Sequence, residues 1–170
     1  MNQTKEAKKD INIEVKWAIV FITIQLLWFL GEKIAGLHDG NVDRQVQLTP
    51  VLVIIGLIIF YLALREKKEK VFNGNCNFKQ AYFSGFNLTV LITVISPLVY
   101  YIAYSIISPD YFDKVIAFQV EAGKMTQEEA LDSYNLGTYL IQSIVGTFLL
   151  GMLISTGLAS VIRTKPVEKN

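Results

Sequence analysis

Residues 134–162 read YNLGTYLIQSIVGTFLLGMLISTGLASVI, twenty-nine consecutive positions without a charged side chain. A helix in a water-soluble bundle carries one apolar stripe and a charged opposite face. This stretch has no residues for such a face. A bilayer core of about 30 Å needs about twenty residues at ~1.5 Å rise each, which the stretch exceeds. Residues 81–107 repeat the pattern over twenty-seven uncharged positions. Residues 13–37 form a third apolar run, cleanest from Trp17 to Gly31 and broken there only by Thr23 and Gln25. A fourth, placed at 47–64, holds seventeen uncharged positions from Leu48 to Leu64. It would cover only about 25 Å and needs local thinning or help from its neighbours. The expected architecture is all-α and polytopic, with four transmembrane helices and an amphipathic outer-face helix between the third and fourth. A single membrane domain at 13–163 is expected between tails at 1–12 and 164–170.

Composition agrees once it is divided by position. The chain has 170 residues, 52% hydrophobic and 18% charged, with net charge +1 and mean hydropathy +0.37. Disorder would need low hydrophobicity with high net charge. A disulfide scaffold needs more than one cysteine, and a nucleic-acid binder a basic excess. Twelve of the sixteen Lys and Arg residues fall in the N-terminal flank, the loop after the second run and the C-terminal flank. Only Lys33, Arg44, Lys114 and Lys124 fall in the other connections, together with nine of the fifteen acids. The positive-inside rule therefore places both termini in the cytoplasm. No small-residue cleavage site follows the first run, since Gly31-Glu32-Lys33 comes next, so that run reads as a retained anchor.

The segment 108–133 carries its own signals. Ser108-Pro109-Asp110 reads as a helix start, with Ser108 as cap. Tyr111, Val115, Phe118 and Ala122 then recur at helical spacing, and Gly123 stops the helix. Thr126 with Glu129 three positions later forms a capping box, and that helix is expected to run on into the fourth span.

Inside the spans the candidates for function are polar. Gln25, Asn87 and Gln142 sit in three different runs and would line a polar path if they converge. Pro97 predicts a kink near Ser96. Gly151, Ser155 and Ala159 fall four apart, a small-residue stripe suited to close helix approach within the chain, to a second copy or to a membrane partner. Glu32 and Lys33 lie near the outer end of the first run, where anchoring or ion pairing is the ordinary role. His38 and Asp39 follow in a turn rich in Gly, Asn and Asp, and Asp110 lies in the outer segment. The spacing around His38 matches neither a calcium loop nor a zinc site. Cys76 stands alone in a loop. No catalytic residue, metal site, cofactor or nucleic-acid partner is expected, and the lipid bilayer is the one partner the pattern requires.

The series Trp28…Glu32-Lys33-x-x-Gly36-Leu37-His38-Asp39, Leu62-Ala63-Leu64-Arg65, Phe78-Lys79-Gln80-Ala81, Ser96-Pro97, Pro109-Asp110-Tyr111-Phe112 and Gly123-Lys124-Met125-Thr126 resembles a bacterial inner-membrane family catalogued as a domain of unknown function. The resemblance implies a small four-span protein and carries no substrate, cofactor or catalytic residue. Three functions are weighed on the residues. The first is a non-enzymatic scaffold or accessory subunit of an envelope complex. The second is a transporter or channel subunit with a path through Gln25, Asn87 and Gln142. The third is a membrane enzyme using Glu32, His38, Asp39 and Asp110.

Overall fold

The structure, a computed structural model, describes residues 2–39 and 42–164, without the side chains of residues 2–11, Val42, Asp43, Val46 and Thr49. Met1, Gly40 and Asn41 and the C-terminal tail expected at 164–170, apart from Thr164, lie outside the described residues. Among the described residues the secondary structure is helical throughout. The elements are α1 (Asn2–Ile34), α2 (Val42–Lys70), α3 (Phe78–Ile102) with a π turn at Ala103–Ile107, α4 (Tyr111–Glu121), α5 (Gln127–Ser133) and α6 (Leu136–Ile162). Three stretches are long and apolar enough to cross a membrane: Asn12–Ile34, Phe78–Ile107 and Leu136–Ile162. Their outward faces are as apolar as their inward ones. Val94 is 74% exposed, and Leu153 and Val161 are 72% exposed each. Apolar side chains ringing the outside of a bundle suit hydrocarbon, not water.

The seam between α3 and α6 organises the bundle. A Cβ added at Gly85 would lie 2.6 Å from Ser155 Oγ, and one at Gly151 would lie 2.6 Å from Thr89 Cγ2. The backbones therefore approach at the two glycines, as small residues allow. Ser155 Oγ donates to Gly151 O at 2.6 Å and Thr89 Oγ1 to Gly85 O at 2.9 Å, with the two hydroxyl oxygens 3.3 Å apart. Gly151, Ser155 and Ala159 are all buried here. The stripe is taken up inside the chain by α3.

Pro97 lies inside α3, which continues past it. Proline has no N–H, so it leaves the carbonyl four residues back without its helical donor. Ser96 Oγ meets that carbonyl, Thr93 O, at 3.1 Å and also reaches Ser143 O of α6 at 3.3 Å.

Two local expectations are corrected. Ser108 does not cap α4. Asp110 occupies the cap position without a side-chain cap bond, its carboxylate accepting from Lys114 instead, and the Ser108 hydroxyl is engaged by His38. Nor does α5 run on into the fourth apolar run. Its Thr126–Glu129 capping box forms as expected, but the chain breaks at Tyr134. Asn135 then caps α6, accepting from Thr138 N at 2.9 Å.

α4 lies across one end of the bundle. Tyr111 and Val115 join Phe29 of α1, Val99 of α3 and Tyr104 of the π turn in one buried cluster. A second cluster fills the other half, from Ala18 and Phe60 to Leu88, Ile92 and Ala159.

Candidate functional site

α1 ends in a left-handed glycine turn. Gly36 has φ of +72°, its N–H donates to Lys33 O at 3.0 Å, and Leu37 N donates to Glu32 O at 3.0 Å. This pairing satisfies two carbonyls at the helix end and reverses the chain. The reversal returns His38 to Glu32, six residues back. From the other side the π turn, closed by Ser108 N donating to Ala103 O at 2.9 Å, presents Ser108. An extra residue in a helical turn re-aims the side chains beyond it.

The result is a buried polar chain. His38 Nδ1 lies 2.6 Å from Ser108 Oγ, and Nε2 lies 3.2 Å from Glu32 Oε2. Glu32 also accepts from Trp28 Nε1 at 2.7 Å and from Gln45 Nε2 at 3.3 Å. Tyr111 OH donates to Gln45 Oε1 at 2.9 Å. His38 and Ser108 are fully buried, and Glu32 is 5% exposed. The rings of Tyr111 and Tyr104 close over His38, with centroids 5.2 and 6.3 Å away. Serine, histidine and glutamate in series is the connectivity that activates a hydroxyl for acyl transfer. Here the hydroxyl lies at zero exposure beneath aromatic rings, and the group ties α1, α2, α4 and the π turn together. Substituting His38→Phe keeps the ring's bulk and leaves Glu32 and Ser108 without it. The expected cost is about 1–3 kcal/mol for the stranded polar groups, read as a lowered unfolding midpoint in detergent.

Asp39 and Asp110 meet just outside this cluster. Lys114 Nζ lies 2.6 Å from Asp39 and 2.8 Å from Asp110, and Lys33 lies 3.0 Å from Asp39. The hydrogen bonds from Lys114 and then Lys33 hold Asp39 below its ordinary pKa, and Lys114 does the same for Asp110. Depressed carboxyl pKa values favour the folded state above the unfolded value of about 3.9, and that benefit is lost as pH falls through the folded values. Lys114→Ala should therefore raise both toward ordinary values. NMR titration of the two side-chain carboxyl carbons checks this.

The mid-span polar residues divide. Gln25 and Gln142 line one cavity of about 250 Å³ between α1, α2, α3 and α6, together with Phe21, Gly56, Tyr100 and Gly146. Asn87 lies apart, in a surface cleft with Lys67, Lys79 and Ser84. Gln25 is 6% exposed, and its Oε1 has no hydrogen-bond partner.

The opposite end of the bundle holds groups that sequence reasoning missed. Glu14 of α1 and Lys67 of α2 form a buried ion pair, and Ser84 Oγ of α3 donates to the same Glu14 oxygen at 2.9 Å. Glu14 sits one position inside the first apolar run, and an acid there was the available signal. Beside it, Glu66 pairs with Lys16 and accepts from Trp17 Nε1 at 2.7 Å. Burial would raise the Glu66 pKa, but hydrogen bonds from Lys16, Lys70 and Trp17 pull it down to about 2. Lys68 Nζ donates to Ile162 O at 2.7 Å, closing the end of α6. Cys76 is buried, and its backbone exchanges hydrogen bonds with Thr164, O accepting from Thr164 N at 2.7 Å and N donating to Oγ1 at 3.0 Å.

Apolar outward faces and three membrane-length helices define a multi-pass integral membrane protein. The chain belongs to the family described as "Protein of unknown function (DUF4199)", whose model matches residues 16–164. No curated protein and no solved structure matches it. The expected kinship with a domain of unknown function is thereby met over most of the chain.

Proposed function

We propose that the protein is a four-pass protein of the bacterial inner membrane, with both termini cytoplasmic, serving as a non-catalytic scaffold or accessory subunit of an envelope complex. The observation that carries this reading is how the inward ionisable groups are used. Glu32 and His38 at one end, and Glu14 and Lys67 at the other, are closed onto partners within the fold, an arrangement suited to holding helices. α2 supplies the fourth crossing. It runs for 29 residues and presents Val51, Ile54, Leu57, Ile58 and Leu62 outward. The Lys-rich end carries Lys16, Lys67, Lys68 and Lys70 and is assigned to the cytoplasm. α4 and α5 then lie on the outer face. A second copy or a membrane partner would meet the outward apolar faces, since the small-residue stripe is occupied by α3.

Topology is tested with a membrane-impermeant maleimide in a Cys76→Ser background. Glu128→Cys should label in intact spheroplasts, and Lys79→Cys only after permeabilisation. Labelling of Lys79→Cys without permeabilisation would remove the fourth crossing. A fluorophosphonate probe tests the non-catalytic reading. No labelling of Ser108 is expected, and labelling abolished by Ser108→Ala would overturn it. Mild crosslinking before purification should retain a stoichiometric membrane partner or second copy; isolated monomers alone would count against a scaffold.

A transport reading draws on one observation, the shared cavity of Gln25 and Gln142. Solute flux in reconstituted vesicles, lost on replacing Gln142 by Leu, would favour it.

A further inference from the structure

The cavity between α1, α2, α3 and α6 lies at mid-helix depth in the bundle and combines an apolar wall with one unmet hydrogen-bonding demand. Phe21, Gly56 and Tyr100 form part of the wall, and Gln25, Gln142 and Gly146 part of the rim and floor. Gln142 and Gly146 are exposed, so the space opens sideways between helices, toward the hydrocarbon. Gln25 is more than nine-tenths buried, and its side-chain oxygen is unpartnered and itself fully buried, so an occupant meets it when the amide turns toward the cavity. A polar group stranded in hydrocarbon is costly, and membrane proteins satisfy such groups internally or along occupied cavities. The helices around Gln25 have not done so: the hydroxyls of Ser96, Ser143, Thr89 and Ser155 reach carbonyls instead, and that of Thr93 is itself unpartnered.

Size narrows the occupant. A dry apolar cavity of about 150 Å³ accepts benzene, and this one measures about 250 Å³. One substituted ring or a small fused ring fits. The aromatic faces of Phe21 and Tyr100 favour edge-to-face contact with a ring. A hydroxyl both donates and accepts, so it can pair with either end of the Gln25 amide.

We infer that this cavity is a binding site for a ring-sized lipophilic hydroxyl compound, of the hydroxyarene class, that reaches it from the bilayer and hydrogen-bonds to Gln25. The site requires α2 and α6 to border hydrocarbon and so rests on the four-pass reading. That reading stands or falls by maleimide accessibility, which does not depend on ligand binding.

The test uses the full chain in lipid nanodiscs and two photoprobes, 4-azidophenol and azidobenzene, which differ by the hydroxyl alone. Labelled peptides are quantified by mass spectrometry, with phenol as competitor. The expected result is saturable labelling of α1 and α6 peptides around Gln25 and Gln142. Half-saturation for 4-azidophenol should come at a concentration about three- to tenfold lower than for azidobenzene, the span of one neutral hydrogen bond. Gln25→Leu should abolish that preference while azidobenzene labelling persists, which also reports an intact cavity. Gly146→Leu should suppress both probes; a Cβ there meets nothing within 4 Å, so the larger side chain has room to fill the space. Equal half-saturation of the two probes in the unmodified protein would overturn the assignment, as would non-saturable labelling or a preference that survives in Gln25→Leu. The comparison in the unmodified protein decides the matter even if a variant fails to fold.

Discussion

Lys67→Ala should destabilise the bundle by about 3–5 kcal/mol, the cost of removing one member of a buried ion pair. Glu14 is 1% exposed and would keep only the Ser84 hydroxyl, at 2.9 Å. Its second oxygen already lacks a partner among the described residues. The loss arises from a stranded acid group, not from a missing attraction. The paired substitution Glu14→Leu with Lys67→Met therefore tests the cause. Replacing both members by apolar groups of similar volume is often neutral or stabilising, and the double variant should lie within about 1 kcal/mol of the unmodified protein. Unfolding in mixed micelles with increasing SDS measures all three. A double variant as unstable as Lys67→Ala would show that the attraction itself matters.

Gly85→Leu should cost about 3 kcal/mol or more, at the upper end of overpacking penalties. Its new Cβ would meet Ser155 Oγ at 2.6 Å, Cβ at 2.7 Å and Cα at 3.2 Å. The last of these is backbone, so a rotamer change cannot relieve the clash and α6 must move as a whole. Gly85→Ala is the milder form, and Ser155→Gly in the same chain should restore much of its loss by returning the space. Gly157→Leu serves as control, because a Cβ there meets nothing within 4 Å. The same SDS titration ranks the four, and Gly157→Leu should sit beside the unmodified protein. If Gly85→Leu sits there too, the seam is not where the helices are held.

The long apolar runs are legible because hydrophobicity is a local property, and twenty or more uncharged residues leave few other homes. Their boundaries are less so. The fourth run reads as starting at Tyr134, whereas α6 starts at Leu136 behind an Asn135 cap. The cap signal is in the chain, with Asn135 ahead of Gly137 and Thr138, but uninterrupted apolarity outweighs it. Thr126 and Glu129, a short-range pair, form the capping box that their spacing predicts. Ser108 does not cap, because its hydroxyl answers to His38, seventy positions away.

The candidate residues divide in the same way. Glu32, His38, Asp39 and Asp110 stand out as residue types on one side of the chain's topology, yet only the glycine turn after α1 and the π turn after α3 bring His38 onto Glu32 and Ser108 and set Asp39 and Asp110 on the same lysine. Gln25 and Gln142 share a cavity that Asn87 does not, a separation in depth as well as in facing, since Ser143 beside Gln142 meets Ser96, nine positions along α3 from Asn87. The amino-acid order is enough to establish that long uncharged helices exist and that the positive charge gathers at particular connections. Both depend on each residue's own cost of leaving water. Which polar groups are paired, sealed or left facing a cavity was decided by tertiary packing, because that depends on how helices distant in sequence turn their faces to one another.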